Sequence, residues 1–282
     1  VAARGWRCSC PRSRLRACSL RKCLAERYAV IMLRQIGGKT VDIRFLFVFL
    51  GAAAGGAVQS VAGFGGGVLM MLFLPSMFGL LHASAISASI CITLTFSLAI
   101  RFRKAVRLKK LIFPGTIYLA FCLCAIWISP DLPTGPLKLG FGVFLMLLAL
   151  FFFCGGRKLK FSATGLTAAA TASVSGITAG LFGIGGPPLA PYLLSVARSN
   201  EEYIGMMQTM FALSSSVGML LRIVRGIYTV ELLPATVLGT IGILLGKRVG
   251  LKMLKKISKE NMMKLVYSMI AVSGILTIAA NT

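Results

Sequence analysis

The stretch from Ala52 to Pro75, AAAGGAVQSVAGFGGGVLMMLFLP, decides the fold. It lies inside a long apolar run, yet glycines crowd where a helix should be most regular. Each interior glycine costs a helix about 0.8–1.0 kcal/mol relative to alanine. Gly63-Phe64-Gly65-Gly66-Gly67 therefore marks a deliberate break. A second copy, GITAGLFGIGGPPLAPYLL, runs from Gly176 to Leu194 and hardens the break with Pro187 and Pro188. Pro188 lacks an N–H and crowds the preceding turn of a helix. Two apolar segments interrupted by Gly and Pro at matching positions point to a transporter's binding site.

Composition sets the class. Of 282 residues, 57% are hydrophobic and only 13% charged, with mean hydropathy +0.85. Soluble domains carry about 25% charged residues. Apolar runs of about 20 residues, enough to cross a bilayer, recur along the chain. We expect an all-α polytopic membrane protein whose first partner is the lipid bilayer. The net charge of +24 does not indicate nucleic acid. Its lysines and arginines sit in the tail and in short connections such as RFRKAVRLKK (101–110) and GGRKLK (155–160). That is how cytoplasmic loops orient a membrane protein. Cys8, Cys10, Cys18 and Cys23 are irregularly spaced in the tail with no His nearby, so neither metal, cofactor nor disulfide framework is expected. Cys91, Cys122, Cys124 and Cys154 read as small apolar residues of helices.

Residues 1–44 form a basic tail, with Glu26 the lone acid before residue 40. A targeting peptide is one reading; an upstream start, with Met32 the working one, is the reading we take. Residues 45–160 and 161–282 are expected to form two homologous transmembrane repeats. Eight apolar spans fall near 45–75, 83–100, 111–129, 136–154, 162–196, 203–222, 231–248 and 262–280. The first and fifth are too long for one simple helix crossing ~30 Å of hydrocarbon, and these two hold the glycine breaks. Gly63–Leu69 aligns with Gly183–Leu189 at an offset of 120 residues, which also brings Pro114 onto Pro234. Four spans per half predict parallel halves; an inverted repeat needs an odd number. With the N terminus inside, 101–110, 155–160 and the Arg222/Arg225 loop become cytoplasmic, while 129–135 and 197–202 fall outside. The lysine-rich 246–260 segment disagrees with this scheme.

A helix restarting after a break offers free N–H groups and a partial positive charge, a ready anion site. Each half supplies one, with Gly63, Gly65, Gly66 and Gly67 at the first and Gly183, Gly185, Gly186, Pro187 and Pro188 at the second. Gly51/Gly55, Gly176/Gly180 and Gly242/Gly246/Gly250 have instead the spacing of close helix packing. Polar residues inside the spans complete the candidates. Gln59 and Ser60 precede the first break and Thr178 the second. Ser84, Ser87, Ser89, Thr93, Thr95 and Ser97 mark span two; Gln208, Thr209, Ser214, Ser215 and Ser216 mark span six. Ser and Thr can silence themselves on the preceding turn's carbonyls. Gln59 and Gln208 cannot do so as readily, and are read as ligand or interhelical contacts.

The spans contain almost no acids, so neither a carboxylate proton relay nor the convergent His, Asp or Glu of an intramembrane enzyme is expected. A negative cell interior drives an anion outward by about 2.3 kcal/mol per charge per 100 mV. Export would thus need no coupling ion. Uptake of the same anion, or a non-transporting scaffold or accessory subunit, are the alternatives, and a homo-oligomer is left open.

At GAVQSVAGFGGGVLMMLFLP (56–75) and GITAGLFGIGGPPLAPYLL (176–194), heading two four-span halves, the chain resembles the TauE/SafE sulfite exporter family, also called the toluenesulfonate uptake permease family. The resemblance covers about residues 45–280. It implies a multi-pass bacterial inner-membrane transporter of small sulfur-containing anions such as sulfite, sulfoacetate or other organosulfonates. The chain departs from the common pattern where Pro187-Pro188 replaces a third glycine and one proline, and in its long basic tail.

Overall fold

The computed structural model describes residues 43–153 and 164–254, and every regular element within them is helical. Residues 44–282 form one compact unit; the other, 1–43, lies outside the described residues but for Ile43. The first helices are α1 (Ile43–Ala62), α2 (Gly66–Phe78), α3 (Leu80–Phe102), α4 (Leu108–Ile128) and α5 (Thr134–Phe153). Then come α6 (Gly165–Phe182), α7 (Gly186–Val196), α8 (Asn200–Val224) and α9 (Leu233–Leu254). Among the described residues, six segments built on α1, α3, α4, α6, α8 and α9 are long and apolar enough to cross a membrane. The expected span at 262–280 and the basic 155–160 segment lie outside the described residues.

Both glycine clusters interrupt helices. α1 ends as Gly63 (φ 78°) donates its N–H to the Gln59 carbonyl at 2.9 Å; α6 ends as Gly183 (φ 70°) donates to Ala179 at 3.0 Å. This left-handed cap carries no penalty only in glycine. The first break is sharper than expected. A Cβ on Gly55 would stand 3.1 Å from Gly66 Cα, and the Phe73 ring covers Gly51. α2 therefore folds back along α1. It also pairs antiparallel with α3 across the Gly79 turn, which brings Gly66 beside Cys91 and Gly67 beside Ser87. The 45–75 span is a helical hairpin, not one interrupted rod. α1 alone has 20 residues, about 30 Å at 1.5 Å each, and so fills the hydrocarbon thickness without α2.

The hairpin changes the direction of everything downstream. Gly242, Gly246 and Gly250 of α9 meet the carbonyls of Phe49, Ala53 and Ala57 in α1, a constant sequence offset, so α1 and α9 run parallel. α9 also parallels α3, with Gly239 against Ile90, Thr236 bonded to Ser89 and Lys247 to Ser97. α3 and α8 are antiparallel, joined at one end by Arg107 and Glu202 and at the other by His82 and the Ile227 carbonyl. α4 parallels α8 through Tyr118–Phe211 and Ile126–Gly218, and parallels α6 through Gly176 and Gly180, which lie on Tyr118 and Cys122 carbonyls. Hence α1 and α6, matched by the repeat, run in opposite senses, and the expectation of parallel halves fails. Its error was to count each broken helix as one pass.

The same directions correct the loop assignment. Arg101–Lys110, Arg198, Glu202 and the α9 end with Lys247, Arg248 and Lys252 share one face. Arg225 lies at the other, bonded to Asp131 at 2.5 Å and stacked 4.6 Å from the Trp127 ring. The 197–202 loop and the described part of 246–260 thus join 101–110, and the Arg225 loop leaves it. α1, parallel to α3, begins on the Arg225 face, so the expectation that the N terminus and 101–110 share one side fails as well.

The glycine seams carry the packing. Gly246 admits no side chain, because a Cβ there would enter the Ala53 carbonyl. Gly246→Ala is expected to destabilise the purified protein by about 1–3 kcal/mol, the usual cost of overpacking. Gly140→Ala in α5, which meets nothing within 4 Å, should raise the melting temperature slightly, by helix propensity alone.

Candidate functional site

The two breaks meet. A Cβ on Gly67 would lie 2.6 Å from the Gly183 carbonyl, and Phe64 packs against Gly186. Beside this junction, level with the middle turns of α3 and α4, is a partly open chamber of about 70 Å³. One water needs about 10–15 Å³, so there is space for a solute of a few atoms.

Nine expected residues line it: Gln59, Gly65, Gly67, Gly183, Gly185, Gly186, Pro187, Ser214 and Ser215. Six do not. Ser60 donates to Gly56 and Thr178 to Val174, each satisfied within its own helix. Gly63 and Gly66 shape the turn behind the wall, and Pro188 sits behind Pro187. Gln208, fully buried, donates to the Gly63 carbonyl at 2.8 Å and accepts from Gln59 Nε2 at 3.3 Å. The two glutamines thus separate in role: Gln208 clamps the α1 cap to α8, and Gln59 faces the chamber. Gln208→Leu is expected to cost about 1–3 kcal/mol of stability by stranding that carbonyl, measurable as lost thermal stability of the purified protein.

The largest feature of the chamber is one the sequence reading placed in a loop. Arg222, 3% exposed, stands in the last turn of α8 and turns its guanidinium into the chamber wall. Its Nη2 donates to the carbonyls of Gly180 at 3.0 Å and Ala179 at 3.4 Å. These belong to the negative end of α6, a favourable place for a cation. No carboxylate lines the chamber among the described residues. A span boundary set at 222 made this arginine look solvated. The signal missed is that an arginine side chain can reach inward from a helix end.

Ser87, Cys91 and Thr95 of α3 and Tyr118 and Cys122 of α4 also line the chamber. Tyr118 presses its hydroxyl against Gly185, where a Cβ would come within 2.5 Å of it. The two restarting helices are chemically unequal. The first four N–H groups of a helix have no partner in the preceding turn. In α2 these belong to Gly65, Gly66, Gly67 and Val68, and the ladder begins with Leu69 donating to Gly65 at 3.0 Å. In α7 two of the four positions are Pro187 and Pro188, which carry no N–H. Where one anion site was expected from each half, the two ends are one amide-rich and one amide-poor.

Bilayer-length helices folded around a partly open chamber, with a guanidinium and helix ends in its wall, fit an integral membrane transporter. The chain belongs to the sulfite exporter TauE/SafE family, whose sequence profile matches residues 47–277. No curated protein and no solved structure matches it.

Proposed function

We propose that the protein exports small sulfur-containing anions, such as sulfite or short organosulfonates, across a bacterial inner membrane. The observation that carries this reading is Arg222, a buried positive charge facing a chamber in whose described lining there is no acid. An ionisable group at such a position is functional by default, because holding an unpaired charge out of water is costly. An anion supplies the missing partner. Positive-inside orientation makes the Arg101–Lys110 face cytoplasmic, and the membrane potential then drives the anion outward.

The transport cycle we propose uses two inverted halves, in each of which the first span folds back on itself. The offset of 120 residues carries α1–α4 onto α6–α9. It also carries His82 onto Glu202 and Arg107 onto Ile227. The two contacts that tie α3 to α8, Arg107–Glu202 on the basic face and His82 Nδ1 with the Ile227 carbonyl at 2.8 Å on the other, are thus equivalent. Rocking of one half against the other about a fixed central site would open one contact while the other holds.

The test is a panel of sulfite, methanesulfonate, sulfate and chloride loaded into proteoliposomes, with and without an imposed potential. Potential-driven efflux of sulfite or methanesulfonate supports the proposal. Vesicles that retain every anion contradict it.

A further inference from the structure

We infer that the N terminus of α2 and the Ser87 hydroxyl together form an oxyanion subsite, one that the matching end of α7 cannot form. This deepens the proposed anion transport and rests on it for the identity of the solute, but not for the existence of the site.

Two independent observations converge. The first is the backbone: α2 has 13 residues and begins with four unpartnered N–H groups, and Gly65, Gly67 and Val68 line the chamber. The second is Ser87, which lines the same chamber, is 1% exposed, and whose Oγ has no oxygen or nitrogen partner, only the Cys91 thiol beside it. Other α3 hydroxyls are satisfied: Ser84 donates to Leu81, Ser89 to Ile86 and Thr95 to Ile92. Ser87 alone of these donates to no backbone carbonyl, and it stands close to Gly67, where a Cβ would be 3.7 Å from its Oγ. Its neighbour one turn on, Cys91, offers only a weak thiol.

A buried hydroxyl without a strong partner costs the free protein stability, and one that also lines a chamber is placed to give that hydrogen bond to a ligand. The ligand must accept hydrogen bonds, since the amides only donate. It must also meet Arg222 on the α4–α6–α8 wall while it meets the amides on the α2–α3 wall. A compact oxyanion with oxygens pointing in several directions, as in sulfite or a sulfonate group, meets both. The prolines of α7 deny a second amide cluster, so Arg222 takes that place.

The test is calorimetric titration of the purified full chain with sulfite, methanesulfonate and sulfate. Ser87→Ala is expected to raise the Kd of a binding oxyanion at least tenfold, as loss of a hydrogen bond to a charged group does. Its ligand-free melting temperature should stay level or rise, because a polar group without a strong partner has been removed. Ser87→Thr, which restores the hydroxyl, should recover binding to within a few-fold. Val68→Pro copies Pro188 into α2, deletes one N–H and should also weaken binding. Ser89→Ala, outside the chamber, should not. An unchanged Kd in Ser87→Ala and Val68→Pro, with Arg222-dependent binding intact, overturns the subsite and leaves the transport proposal standing. A melting temperature that falls along with affinity in Ser87→Ala would mark a structural serine and overturn it as well. Absence of binding by all three anions to the wild-type chain defeats both readings.

Discussion

Arg222→Gln is expected to abolish anion efflux from proteoliposomes while the protein still inserts and folds. Truncating one partner of a buried charge pair costs about 2–5 kcal/mol, or ~30-fold to several thousand-fold in affinity. Glutamine is the informative replacement because its amide can still donate to the Gly180 and Ala179 carbonyls that Arg222 caps. The fold contact is thus largely kept and the charge removed. Arg222→Lys keeps the charge but loses the planar fork that matches an oxyanion, and should fall between the two. Wild-type efflux from Arg222→Gln vesicles would take the guanidinium out of the site.

Glu202→Gln is expected to shift the chamber toward opening on the basic face. Glu202 is buried; it accepts from Arg107 Nε and from the Arg198 amide at 2.8 Å, while Arg107 Nη2 donates to the Val196 carbonyl at 2.9 Å. One ion pair therefore ties the α3–α4 connection to the end of α7 and the start of α8. The Arg107 side chain is 27% exposed, so breaking the pair costs less than the about 3–5 kcal/mol of a fully buried one; about 5.5 kcal/mol would move a two-state equilibrium from 1:99 to 99:1. The contact at the other end, His82 to the Ile227 carbonyl, is a single hydrogen bond, worth about 0.5–1.5 kcal/mol net when both groups are neutral. Cys91 and Cys122 line the chamber, and so report its access without new labels. With the other cysteines replaced by serine, labelling by a membrane-impermeant thiol reagent from the basic face should accelerate at least tenfold in Glu202→Gln. Equal labelling rates would show that this ion pair does not gate the chamber.

Much of this was legible in the residues. Adjacent glycines at 63–67 and 183–186 announced the breaks, and the spacing of Gly242, Gly246 and Gly250 announced a packed seam. Gln59 and Gln208 stood out because buried amides need partners. The fold-back was not legible, since excess length alone does not distinguish a bent rod from a hairpin. Loop sides depend on the parity of passes, so that one ambiguity misplaced 197–202, 246–260 and the Arg225 loop together. Arg222 was hidden for a different reason: its backbone is at a helix end and its charge is not. Ser87 looked like any of six hydroxyls in span two, and only the packing of α2 against α3 separates it from its satisfied neighbours.

The most direct measurement is a structure of the full chain with selenite, the heavier counterpart of sulfite, located by anomalous scattering. An ordered selenium in the central chamber, with oxygens within hydrogen-bond distance of Arg222, is the predicted result. A chamber left without anomalous signal at saturating selenite, or selenium bound only on the basic outer face, would contradict it.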